Sequence, residues 1–68
     1  MKFTLNKKEK ELDSFTEITV SQLFEIMKFS FPMIIVKING NLIKKENYQT
    51  TLIKEGDDVS AFHLISGG

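Results

Sequence analysis

"ITVSQLFEIMKFSFPMIIVKING", residues 18–40, decides the fold because its hydrophobic period changes once along its length. In the first half Val20, Leu23, Phe24 and Met27 fall at i, i+3, i+4 and i+7, the spacing of one helix face. Thr19 and Gln22 stand at capping-box spacing and Ile18 is placed to staple onto Leu23, so the helix is expected to begin at Thr19. Pro32 disfavours helical geometry in the residue before it, which bounds the helix to about three turns. In the second half the period falls to that of a strand. Lys37 marks the exposed parity there, so Ile34, Val36 and Ile38 are predicted to point inward and Met33 and Ile35 outward. Asn39-Gly40 then predicts a tight turn.

Toward the N-terminus, "MKFTL" (1–5) alternates, with Phe3 and Leu5 on one side and Lys2 and Thr4 on the other, which reads as a half-buried strand. "NKKE" (6–9) is a polar turn, and a weaker strand is expected over Lys10 to Phe15 with Leu12 as its core residue. Its charges suit a sheet edge, where they discourage association with other edges. Toward the C-terminus, "NLI" (41–43) is a short strand. "KKENYQTTLI" (44–53) is a polar crossing anchored by Tyr48 and Leu52, "KEGDD" (54–58) a turn, and "VSAFHLI" (59–65) the last strand. The order β-β-α-β-β-β predicts an α+β roll: a mixed sheet of about four to five strands with one helix across one face. Because the first and last strands are both apolar, they are expected side by side, parallel and central. The C-terminus then leaves the sheet as a free tail, residues 65–68.

The bulk properties narrow the function. A chain of 68 residues makes one domain, 1–68, burying only ~60% of its unfolded surface, which leaves little room for an enclosed active site. Nine basic and nine acidic residues cancel, and Glu9 and Glu11 interrupt the lysines at 7, 8 and 10, so no phosphate-binding field and no nucleic-acid partner is expected. Without cysteine there are no disulfides, no thiolate nucleophile and no usual zinc framework. The longest unbroken apolar run, "PMIIV" (32–36), is too short to span a bilayer, and "MKFTLNKKEK" (1–10) lacks the apolar core of a secretory signal. A cytoplasmic protein, monomeric when free and bound to no membrane, is the expectation.

The chain ends "FHLISGG" (62–68), two glycines directly after a strand. A C-terminal carboxylate is a poor electrophile and reacts only after conversion to an activated acyl group such as an acyl adenylate. The enzyme doing this must exclude water in a narrow cleft, and a narrow cleft admits a backbone without side chains. Gly67 and Gly68 make the tail thin enough to thread. A Gly-Gly dipeptide alone would equally suit a frayed terminus. Joined directly to a last strand on this order of elements, with "GD" at the turn before it, it is far more specific.

"FTLN" (3–6), "TVSQLFE" (19–25), "VKINGNLI" (36–43) and above all "IKEGDDVSAFHLISGG" (53–68) resemble the ThiS family, small ubiquitin-like β-grasp sulfur carriers of thiamine biosynthesis related to the molybdopterin-synthase small subunit. The resemblance spans essentially the whole chain. It implies that an E1-like adenylyltransferase of the ThiF type adenylates Gly68 with ATP. A persulfide or sulfide then displaces AMP, and the resulting thiocarboxylate delivers sulfur to a thiazole synthase of the ThiG type. The carrier itself binds no cofactor and catalyses nothing. Lys7 stands where many members have glycine, and Lys44 where many have proline.

Other residues carry less. His63 has no nucleophile or orienting carboxylate at a recognisable spacing and reads as a solvent-exposed strand residue. Asp57 and Asp58 suit a turn rather than a calcium loop, so no metal site is expected. Alternation sends Phe62 and Leu64 to the face away from the helix, where Ile35 completes a candidate partner-binding patch with Ile65 and Ser66 of the tail. Alternatives to thiazole sulfur transfer are molybdopterin synthesis, tRNA thiolation, attachment to protein lysines as a ubiquitin-like modifier, or an interaction module with an idle tail.

Overall fold

Phe3 and Leu5 are buried while Lys2 is exposed, so the first strand lays one edge of its alternation on the core as its sequence dictates. In the computed structural model, which describes residues 1–29 and 34–63 and every side chain among them except that of His63, β1 is Lys2–Leu5 and β2 is Lys8–Glu11. Asn6 and Lys7 join them in a two-residue loop with φ of 53° and 71°, the left-handed pair whose twist matches that of a hairpin. β2 begins earlier than the expected Lys10–Phe15, because this loop reverses the chain two residues after β1 ends. Leu12 follows β2 and packs, half-buried, against the core.

β3 (Glu17–Thr19) leads directly into α1 (Val20–Met27). Thr19 Oγ1 accepts the Gln22 N–H at 3.0 Å and Gln22 Oε1 accepts the Thr19 N–H at 2.8 Å, the reciprocal capping box that the spacing predicts. The helix has 8 residues, about two turns rather than three. It ends before Pro32 can act: Lys28 adopts φ 58°, and Phe29 N–H reaches back to the Phe24 carbonyl at 2.9 Å, closing the last turn. Glycine usually fills that left-handed position, so a lysine there gives no sequence signal.

β4 (Ile34–Ile38) and β5 (Asn41–Ile43) are joined by Asn39 and Gly40 with φ of 52° and 84°, the tight turn expected from that dipeptide. Val36 and Ile38 are buried and Lys37 is exposed, as the parity predicts. A 3-10 turn (Lys45–Asn47), β6 (Leu52–Lys54) and β7 (Asp58–His63) complete the chain. The main sheet has order β2-β1-β7-β4-β5, with β1 and β7 parallel and the other neighbours antiparallel. The apolar first and last strands are adjacent, parallel and internal, and the charged β2 lies at an edge.

The polar crossing differs from expectation. β6 pairs with β3 in a separate two-stranded sheet, placing Ile18 opposite Ile53, both fully buried. Ile53 is therefore the anchor, and Leu52 is 37% exposed. Tyr48 anchors as predicted: its hydroxyl donates to the Ile34 carbonyl at 2.7 Å, and its ring meets Phe24 edge-on at a centroid distance of 5.3 Å. The core joins Phe3, Leu5, Val36 and Val59 of the main sheet to Val20 and Leu23 of the helix and to Ile18 and Ile53.

The lysine at φ 71° bears on stability, since a left-handed residue with a Cβ is strained by roughly 1–2 kcal/mol. Part of that is offset by the greater freedom glycine has in the unfolded chain. Lys7→Gly is expected to raise the urea midpoint, with a gain of about 0.5–1 kcal/mol. No gain in the midpoint would mean that the loop relaxes the strain in another way.

Candidate partner-docking surface

β7 is the strand from which the tail continues, and its alternation sets the site. Val59 (0% exposed) and Ala61 (6%) face the core, which turns Phe62 outward at 49%. The register places Ile35 directly opposite Phe62 and Lys37 opposite Ser60. Ile35 is half-buried, and the two side chains meet across β4 and β7 as cross-strand neighbours on the face away from the helix. The structure thus brings together two of the expected patch residues. Leu64, Ile65, Ser66, Gly67 and Gly68 lie outside the described residues, as does the side chain of His63.

Leu42 belongs to the same face and was missed in the sequence. It pairs with Lys37, is 64% exposed, and extends the apolar strip onto β5. The signal was present in "NLI", since Ile43 is half-buried opposite Val36 and alternation must turn Leu42 outward. Next to this strip lies an open groove of about 630 Å³ lined by Ile34, Ile35, Leu42, Ile43 and Tyr48, with Lys44, Lys45 and Glu46 at its margin. Lys44 has φ −73° and ψ 144°, the backbone that a proline would fix, so a lysine is accommodated there without strain. Burial raises the Tyr48 phenol above its ordinary pKa, so at neutral pH it keeps the proton that it donates to Ile34.

Two polar devices hold β7 in place beneath the patch. The Asn6 side chain clips Ala61 on both sides, donating Nδ2–H to its carbonyl at 2.9 Å and accepting its N–H on Oδ1 at 2.8 Å. At the other end Asp57 accepts from Asn39 Nδ2 at 3.1 Å and from Lys54 N–H at 2.8 Å, while Asn39 Oδ1 accepts the Asp58 N–H at 2.9 Å. The adjacent aspartates are thus engaged in the turn. Among the described residues no group of three or more His, Cys, Asp or Glu could hold a metal ion. No helix among them is long and apolar enough to cross a membrane.

A four-residue first strand parallel to a last strand at the centre of a mixed sheet, one capped helix and an exposed apolar strip beside the chain's exit define a ubiquitin-like β-grasp protein. The ThiS family profile matches residues 3–68, and the chain belongs to this family of small sulfur carriers. It is similar to the crystal structure of the thiamine biosynthesis protein ThiS from Geobacter metallireducens, with 28% identity, full coverage of both chains and a TM-score of 0.91. The solution structure of a thiamine biosynthesis protein from the same organism matches with a TM-score of 0.81 at 28% identity, covering 100% of this chain and 88% of that one. No curated protein matches the chain significantly.

Phe62 and Phe3 make a matched pair for testing the register, one 49% and the other 2% exposed. Phe3→Ala opens a cavity in the core and is expected to cost ~3–5 kcal/mol. Phe62→Ala is expected to cost less than about 1 kcal/mol. Urea denaturation of the two variants compares them directly, and equal losses would contradict the outward placement of Phe62.

Proposed function

We propose that this chain is a protein cosubstrate that carries sulfur as a thiocarboxylate on Gly68 for formation of the thiazole ring of thiamine. The observation that carries the reading is the family match extending through Gly68, on a fold whose central strand runs into that tail. The Gly68 carboxylate attacks the α-phosphorus of ATP in the active site of an E1-like enzyme, releasing pyrophosphate and leaving an acyl adenylate. A sulfide attacks the acyl carbon and expels AMP, leaving the thiocarboxylate; a persulfide expels AMP in the same way but leaves an acyl disulfide, which a thiol must reduce to release the thiocarboxylate. The thiocarboxylate then gives its sulfur to a thiazole synthase.

This division of labour follows from size. ATP binding and water exclusion belong to the partner, and the carrier supplies a narrow tail and a surface to grip. The strip of Phe62, Ile35 and Leu42 serves as that surface, and Leu64, Ile65 and Ser66, outside the described residues, are the further partner contacts of this reading. Gripping the carrier beside its reactive end fixes where the carboxylate arrives, which is the orienting contribution that binding makes to catalysis.

Gly68 must then be the terminal residue. A variant with one residue added after Gly68, or with Gly68 deleted, is expected to keep its fold by circular dichroism and lose ATP–pyrophosphate exchange with the E1-like enzyme. Exchange at the normal rate in the extended variant would refute the proposal.

Gly67→Val tests the threading separately. A β-branched side chain widens the tail and stiffens it, so activation is expected to fail while the melting temperature stays unchanged. Unchanged activation would show that the cleft tolerates a side chain there.

A further inference from the structure

The outer face of the sheet is electrically divided, and the division falls across the proposed docking strip. On β2, Glu9 and Glu11 pair with Thr4 and Lys2, which share the outward parity, and Asp58 begins β7 on the same face. Lys2, opposite Glu11, offsets one of these three carboxylates, whereas Lys8 and Lys10 have the opposite parity, being paired with the buried Leu5 and Phe3, so the face here stays net acidic. At the other side Lys37 stands between Ser60 and Leu42, and Lys44 and Lys45 rim the groove, with Glu46 the only carboxylate among the groove-lining residues. All three lysines are exposed. The apolar strip of Phe62, Ile35 and Leu42 lies in this basic half.

An apolar contact ringed by cations selects its partner by charge. Exposed lysines contribute little to the energy of a formed contact, but they steer encounter and penalise a partner of like charge. We infer that the strip and the adjoining groove receive an apolar segment flanked by Asp and Glu side chains on the enzyme that adenylates Gly68, with Lys37, Lys44 and Lys45 as the recognising cations. This rests on the sulfur-carrier reading and adds to it the chemistry of the partner surface. The groove and the strip share Ile35 and Leu42, so one partner segment covers both. Lys44 supplies the charge from a position whose backbone needs no lysine, since a proline would fit it equally well.

The test uses the full chain and the purified adenylating enzyme, with binding kinetics followed across ionic strength. A variant combining Lys37→Glu, Lys44→Glu and Lys45→Glu is expected to associate at least about tenfold more slowly at low salt, and the difference should shrink as salt rises to about 0.5 M. Replacing the three lysines with glutamine gives an intermediate rate, and Glu9→Lys with Glu11→Lys does not slow association. Melting temperatures establish that each variant is folded. If the lysine reversal binds like the wild type while Phe62→Ala binds weakly, the charge inference is wrong and the docking face stands. If Phe62→Ala also binds like the wild type, the docking face itself is wrong. Faster association of the reversed variant would show a basic partner surface and overturn the inference as well.

Discussion

The parallel pairing of the first strand with the last is the constraint on which the rest of the structure depends. Two register pairs, Thr4 with Asp58 and Leu5 with Val59, are all the sheet pairing that β1 and β7 share. So short a parallel ladder is a weak joint on its own. It is extended in both directions by polar groups: the Thr4 N–H reaches the Asp57 carbonyl at 2.9 Å, the Asn6 N–H reaches that of Val59 at 2.9 Å, and the Asn6 amide then takes both backbone groups of Ala61. A side-chain amide has the same donor and acceptor as a peptide group, so Asn6 acts as one more residue of strand after β1 has turned away. This requires the left-handed backbone at Asn6, which the hairpin loop supplies.

Holding β7 from both sides fixes its register, and register in a two-sided sheet decides which residues are function and which are core. A slip of one residue would bury Phe62 and expose Val59 and Ala61. Asn39 prevents this on the β4 side: its backbone N–H donates to Asp58 O at 2.7 Å and its side chain bonds to both Asp57 and the Asp58 N–H. The "GDD" turn is thus a clamp, with Gly56 at φ 82° bringing the chain round and Asp57 tying it to Asn39 and Lys54. The two carboxylates, read from the sequence as belonging to a turn, are engaged there in aligning β7, Asp57 with Asn39 and Lys54 and Asp58 with the Thr4 hydroxyl.

How much of this the sequence discloses depends on whether the signal is local. The capping box, the Asn39-Gly40 turn, the parity of β4 and the outward placement of Phe62 follow from spacing within a few residues, and all were legible. The end of the helix was not, because Lys28 takes a left-handed conformation that glycine normally advertises, and Pro32 was the only visible stop. β3 and β6 were hidden for a different reason: each has three residues with one buried side chain, Ile18 or Ile53, and only their long-range pairing makes them strands. Choosing Leu52 over Ile53 as the anchor followed from that. Leu42 was overlooked because a short strand was read for its existence and not for its two faces. The groove itself needs β5 placed beside β4 and the turn after it resolved, and only the charged run Lys44-Lys45-Glu46 of its lining is visible in the sequence.

The helix-facing side of the sheet carries the stability, and the opposite side lies outside the core. Every buried hydrophobic of the main sheet has inward parity, and no polar or charged side chain is buried among the described residues. Lys37, Lys44 and Leu42 therefore meet few packing demands, and substitutions there change what the protein meets without changing how it folds. A domain of 68 residues has little room to enclose chemistry, so the outer face is where its described side chains are open to contact. On that outer face the charges are unevenly placed, with Glu9, Glu11 and Asp58 over β2 and the start of β7, Lys2 opposite Glu11, and Lys37 on β4 with Lys44 and Lys45 following β5.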